Sequence, residues 1–174
     1  MHRVARLILL AALLAPPLGP AEALCSYGGV DNAPTTLAQE FRDSRWVVRV
    51  RVLSALNRFQ VPETDRVGPW TLYRLQVLTV YKGAPPRRIS FFTERNSGAF
   101  YMDRVGTGAD IGGEYLLFLN PIPPYRGRPR QAAGATFVNY SCGQSRLWAE
   151  VPAADRRRLE ALSGRRRRAP GNRG

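Results

Sequence analysis

Apolar and polar positions alternate cleanly along Arg45–Ala55, RWVVRVRVLSA. Val48, Val50 and Val52 fall on one side, Arg49 and Arg51 on the other. A period of two predicts an antiparallel strand with one wet face. Pro69–Lys82, PWTLYRLQVLTVYK, predicts a second strand, with Tyr73, Leu75, Val77 and Tyr81 on one face. Lys82–Pro86, KGAPP, predicts a turn, and Arg88–Thr93 a third strand. Tyr115–Leu119, YLLFL, has no polar alternation, which predicts a strand buried on both faces. Ala135–Cys142 supplies a fifth strand. A different period appears at residues 35–43: Leu37 and Phe41 are four apart, and Thr36 and Gln39 have capping-box spacing, so a short helix is expected there.

The connections carry their own signals. Residues 56–68 and 121–129 read as loops, and the Gly-rich stretch 94–113 as a long loop across the sheet. No internal repeat is visible. The pattern predicts a mainly β domain, a five-stranded OB-like Greek-key barrel with short flanking helices. A β-sandwich is the alternative, but it asks for about seven strands.

The N-terminus follows a different logic. Arg3 and Arg6 precede the apolar run LILLAALLA (residues 7–15), then prolines and Ala21-Glu22-Ala23. Basic, apolar and A-x-A parts in that order predict a cleaved signal peptide over residues 1–23, hence export to a periplasm or the extracellular space. A membrane anchor is disfavoured because the run is too short to span a bilayer. The expected organisation is therefore signal peptide 1–23, barrel domain 24–154, and a C-terminal part 155–174. In that last part DRRRLEALSG predicts a helix stopped at Gly164, with Leu159 and Leu162 on one side, followed by a disordered Arg-rich tail. Export places the chain where thiols oxidise. Cys25 and Cys142 are its only cysteines, so a single intramolecular disulfide is expected, and chain entropy predicts about 4–5 kcal/mol from closing residues 25–142.

Charge and composition narrow the chemistry. The 174 residues carry a formal net charge of +13, with 26 Lys+Arg against 13 Asp+Glu, and Lys82 is the lone lysine. The tail arginines Arg165, Arg166, Arg167 and Arg168 are candidate contacts for phosphate-bearing polyanions. The one histidine is His2, inside the expected signal peptide. A mature chain without histidine excludes Ser-His and Cys-His nucleophile pairs and His-ligated zinc. No enzyme activity, resident metal or cofactor is expected.

The motif order itself is familiar. Cys25-Ser26 opens the domain, YRLQVLTVYKG ends in Tyr81-Lys82-Gly83, Gly113-Glu114-Tyr115-Leu116-Leu117-Phe118 follows, and Tyr140-Ser141-Cys142-Gly143 closes it. This order resembles the netrin-like domain, and within it bacterial proteins similar to tissue inhibitors of metalloproteinases, over roughly residues 25–148. The resemblance implies an OB-like barrel with Cys25 tied to Cys142. It also implies a role for the first two residues of the domain. Cys25, through its α-amine and carbonyl oxygen, would chelate a metalloprotease's zinc, and Ser26 would enter the protease's specificity pocket. Two differences stand out. The animal inhibitors have Cys-x-Cys where this chain has Tyr27, and cleavage after Ala23 leaves Leu24 ahead of Cys25.

Three functions follow from these readings. The first is a secreted netrin-like binding module, with a metalloprotease as a candidate partner. The second is an exported basic module binding polyanions (nucleic acid, anionic lipid or polysaccharide), through the tail or through Arg49, Arg51, Arg74, Arg87, Arg88, Tyr73 and Phe92. On this second reading the two aromatics are expected in the core instead. The third is an enzyme using Asp103, Asp110 and Glu114, whose spacing matches no metal loop or carboxylate pair. Ordinary loop and strand-edge roles are expected for all three.

Overall fold

Strand pairing begins where the alternation is clearest. In the computed structural model, which describes residues 25–59, 68–96, 98–106, 108–124 and 128–168, with only the backbone for 165–168, ten strands form in chain order. They are β1 (Ser26–Tyr27), β2 (Val30–Asp31), β3 (Trp46–Arg58), β4 (Trp70–Lys82), β5 (Arg88–Glu94), β6 (Asp103–Arg104), β7 (Gly108–Ala109), β8 (Glu114–Pro121), β9 (Thr136–Val138) and β10 (Arg146–Leu147). Helix α1 spans Leu37–Asp43 and helix α2 spans Ala153–Arg168. Five strands close in the order β8-β3-β4-β5-β9, with β9 returning to β8; β10 extends the β8 edge. All these pairings are antiparallel except β5–β9, so the barrel is closed and mixed, with helices flanking it.

The YLLFL run explains its own composition. Tyr115, Leu117 and Leu119 point into the barrel with Val48, Val50 and Val52, while Leu116 and Phe118 point outward beneath the helices with Leu37, Phe41 and Leu159. Each face of β8 meets a different core, so no position is left for a polar residue. Helix α1 starts at the expected capping box, where the Thr36 hydroxyl accepts from the Gln39 N–H and Gln39 reaches back to the Thr36 N–H. Its other end is capped from β4. Lys82 Nζ, 8% exposed, donates to the carbonyl oxygens of Phe41 and Arg42, each at 2.7 Å, and to that of Ser44. A cation on the orphan carbonyls of a helix end satisfies both hydrogen bonding and the dipole. Gly83 follows at φ +81°, where an added Cβ would lie 2.5 Å from Trp46 Cδ1 and 2.7 Å from the Arg45 oxygen. The Lys-Gly ending of β4 thus serves helix α1 and the turn together.

Four expectations are corrected. Tyr81 leaves the inner face and packs with the helix cluster, because β4 carries one extra residue, Leu78, where the register shifts between Arg49 and Val50, which reverses the faces of the residues that follow until the second shift at Val47/Val48. The fifth strand is shorter than expected. It ends at Val138, and the chain bends into the turn that carries Cys142. The 94–113 segment crosses the barrel mouth as a loop, but it also contains the small hairpin β6–β7, and it drives Met102 fully into the barrel core. Helix α2 runs past Gly164 to Arg168. A mid-helix glycine costs only about 1 kcal/mol, which does not by itself end a helix already held down by Leu159. The expected signal peptide, residues 1–23, lies outside the described residues.

Candidate functional site: the disulfide-tied edge and its cleft

Cys25 and Cys142 are bonded, with Cα atoms 6.0 Å apart across 117 positions of sequence. The bond holds the start of the domain against the turn after β9. Gly28 and Gly29, both at positive φ, reverse the chain between β1 and β2, which only residues tolerant of that region do easily. The reversal returns Asn32 to Cys25. Asn32 itself adopts φ +50°, a conformation asparagine accepts more readily than most residues. Both main-chain polar groups of Cys25 are then occupied by Asn32: the Cys25 N–H donates to Asn32 Oδ1 at 3.1 Å, and the Cys25 carbonyl accepts from the Asn32 N–H at 2.6 Å. Ser26 beside it is exposed.

A cleft of about 590 Å³ opens next to this edge. One wall is the end of β5, Phe91–Glu94; the other is the 137–141 segment; Cys25, Ser26 and the Gly98–Phe100 stretch complete it. The cleft exists because β5 and β9 meet at one registered pair only, Phe91 with Thr136, and then diverge. Its lining is mainly apolar and aromatic, as in typical ligand clefts. Tyr140 lines the cleft with its hydroxyl buried. The residue is 4% exposed and stacks on Tyr27 at 5.1 Å, yet its hydroxyl has no hydrogen-bond partner among the described residues. Tyr27 in turn donates its hydroxyl to Asp43, and burial together with that carboxylate raises its pKa.

Behind the disulfide lies a buried carboxylate. Glu40 is fully buried on α1, and its Oε1 accepts from the Thr35 hydroxyl at 2.5 Å and from the Gln144 N–H at 2.8 Å. Burial pushes its carboxyl above the ordinary value, against the lowering effect of those two donors and of Arg146. Gly143 packs so closely that an added Cβ would overlap the Glu40 carboxylate. Sequence reasoning missed Glu40. The one available signal was a charged residue on the apolar side of a short helix, at the position beside Phe41.

The three carboxylates considered for catalysis are separately engaged. Asp103 accepts from Tyr73 at 2.5 Å and from Arg95 at 2.6 Å, and the Arg95 guanidinium lies between the rings of Phe59 and Tyr101. Burial alone would raise the Asp103 carboxyl, but the Arg95 and Tyr73 hydrogen bonds and the Arg95 charge outweigh it and hold it low. Asp110 pairs with Arg104 at 2.5 Å and accepts from Tyr115 at 3.0 Å. Glu114 bridges Arg51 and Arg49, whose hydrogen bonds lower its pKa. Among the described residues, no group of three or more His, Cys, Asp or Glu side chains converges to hold a metal.

The candidate polyanion residues divide. Tyr73 and Phe92 are buried, as expected. Arg49 lies over the Trp148 ring at 4.6 Å, opposite Arg156 at the same distance, and both Arg49 and Arg51 share Glu114. Arg74, Arg87 and Arg88 remain exposed on β4, β5 and the turn before it. The side chains of Arg165, Arg166, Arg167 and Arg168 lie outside the described residues. No protein-family model matches the chain, and no curated protein matches it.

Proposed function

We propose that the chain is an exported binding module of the netrin-like kind, which meets a protein partner with Cys25–Ser26 and the cleft beside them. The observation that carries this reading is the covalent tie of Cys25 to Cys142 at the rim of an apolar cleft. A contact edge fixed before binding loses little entropy on binding.

The metalloprotease-inhibiting form of this reading makes a specific demand. Chelation needs the α-amine and carbonyl of Cys25 free of other partners, and Asn32 engages both positions. Inhibition therefore requires cleavage directly before Cys25, which converts the amide N–H to an amine, and exchange of the two Asn32 contacts for the protease's zinc. Each hydrogen bond given up costs about 1 kcal/mol.

The test is the intact mass of the mature exported protein, before and after reduction, followed by inhibition of a zinc-protease panel. A chain beginning at Cys25 that inhibits at micromolar concentration, with tighter inhibition in Asn32→Ala, is the expected result for the inhibitory form. A chain beginning at Leu24 or earlier removes chelation and leaves the binding module. A full-length product whose apolar run is still attached removes the cleavage that the signal-peptide reading requires, and with it the inhibitory form.

A further inference from the structure

The outer face of β3, β4 and β5 carries a second surface, apart from the cleft. Strand register sets its pattern. Arg51, Gln76 and Arg88 stand side by side across the three strands, and Ser54, Arg74 and Ser90 form the neighbouring row. Neighbouring strands are about 4.8 Å apart, so Arg51 and Arg88 flank Gln76 at roughly 10 Å, with Arg74 between them one row along. Arg74 and Arg88 are exposed, and Arg74 is oriented by a 2.6 Å hydrogen bond to the Ser90 hydroxyl. Arg58 extends the basic rim beyond Leu56, while Arg51 is already paired with Glu114.

Leucines stand inside this rim. Leu53, the extra residue where the register shifts between Val52 and Ser54, is 38% exposed, and Leu56 is 42% exposed. Further along, the outward Leu72 and Phe92 are covered by the Ala132–Ala135 turn, whereas Leu56 opposite Leu72 is left open. Basic side chains around exposed leucines fit one partner chemistry best. We propose that this face docks on an anionic phospholipid surface, with the guanidinium groups of Arg58, Arg74 and Arg88 on headgroup phosphates and Leu53 and Leu56 at the acyl boundary. Two rivals fit less well. Bases of a single-stranded nucleic acid need exposed rings to stack on; Trp70 and Phe92, the rings on this face, are buried, and Phe59 next to Arg58 already carries the Arg95 guanidinium at 5.0 Å. An acidic polysaccharide gains nothing from the leucines.

The experiment is co-sedimentation of the mature protein with vesicles of equal parts phosphatidylglycerol and phosphatidylcholine at about 0.1 M salt. Binding is expected there and at least tenfold weaker to pure phosphatidylcholine. The pair Arg74→Glu/Arg88→Glu is expected to weaken it at least tenfold, and Arg74→Lys/Arg88→Lys to retain it, which separates charge from the Ser90 contact. Leu53→Asn/Leu56→Asn is expected to weaken it several-fold, and alanine at Arg165–Arg168 to leave most of it. Circular dichroism checks that each variant folds. The proposal is overturned by equal binding to both vesicle types, by loss of binding only in the tail variant, by an unchanged leucine variant, or by retention on heparin or single-stranded DNA without vesicle binding.

Discussion

One buried carboxylate and one half-buried carboxylate divide this molecule. Glu40, behind the disulfide, is held by a threonine hydroxyl and a backbone N–H. Asp103, in the loop across the barrel mouth, is held by a tyrosine hydroxyl and a guanidinium. Both are desolvated, but only Asp103 has a cation in contact, so burial wins at one and charge pairing at the other. Their contributions to stability therefore run in opposite directions with pH. Glu40, raised in the folded state, contributes stability that is present below its unfolded pKa and lost as pH rises through the folded value. Asp103, lowered, contributes stability that is present above its unfolded pKa and lost as pH falls through the folded value. A desolvated acid without a cation is a different device from one with it.

The largest way to disturb the Glu40 side alone is to remove the disulfide. Cys25→Ser/Cys142→Ser is expected to cost about 4 kcal/mol in urea unfolding, with the barrel-mouth network intact by the acid midpoint of the remaining transition. Next, Arg95→Met strips Asp103 of its cation. The pair is partly solvated, so the loss at neutral pH is about 2 kcal/mol, less than for a fully buried pair, and the acid-side loss of stability shrinks. Gly143→Ala should cost about 1–2 kcal/mol through overlap with Glu40, and adding Glu40→Ala should recover part of it, measured as a double-mutant cycle. Smallest is Glu40→Gln, which keeps the acceptor for Thr35 and removes the charge. Stability at neutral pH should rise by less than about 1 kcal/mol, and the decline as pH rises above the ordinary carboxylate range should flatten. An unchanged slope in Glu40→Gln would sink the comparison.

These two sites were unequally legible. The barrel could be read because its signals are local: the alternation at Val48–Val52, the two-faced burial of YLLFL and the capping box at Thr36 each report their own surroundings. The disulfide could be read because two cysteines leave one pairing. What was hidden depends on register. The face of Tyr81 turns on bulges opposite Val47–Val50, which no single-strand pattern contains. The cleft depends on where β5 and β9 part, and Asn32 reaches Cys25 only because a Gly-Gly turn brings it back. Carboxylates at 40, 103 and 110 look alike in sequence; neighbours from distant segments decide which is paired.

The Cys25–Cys142 bond also has a topological consequence. It makes one covalent ring of nearly everything from β1 to β9, so every barrel strand lies inside it. A protease that nicks any exposed loop within the ring opens it but frees no fragment, because the disulfide still joins the two pieces covalently. Among the described residues, only the stretch beyond Cys142, with β10 and helix α2, can be severed by a single cut.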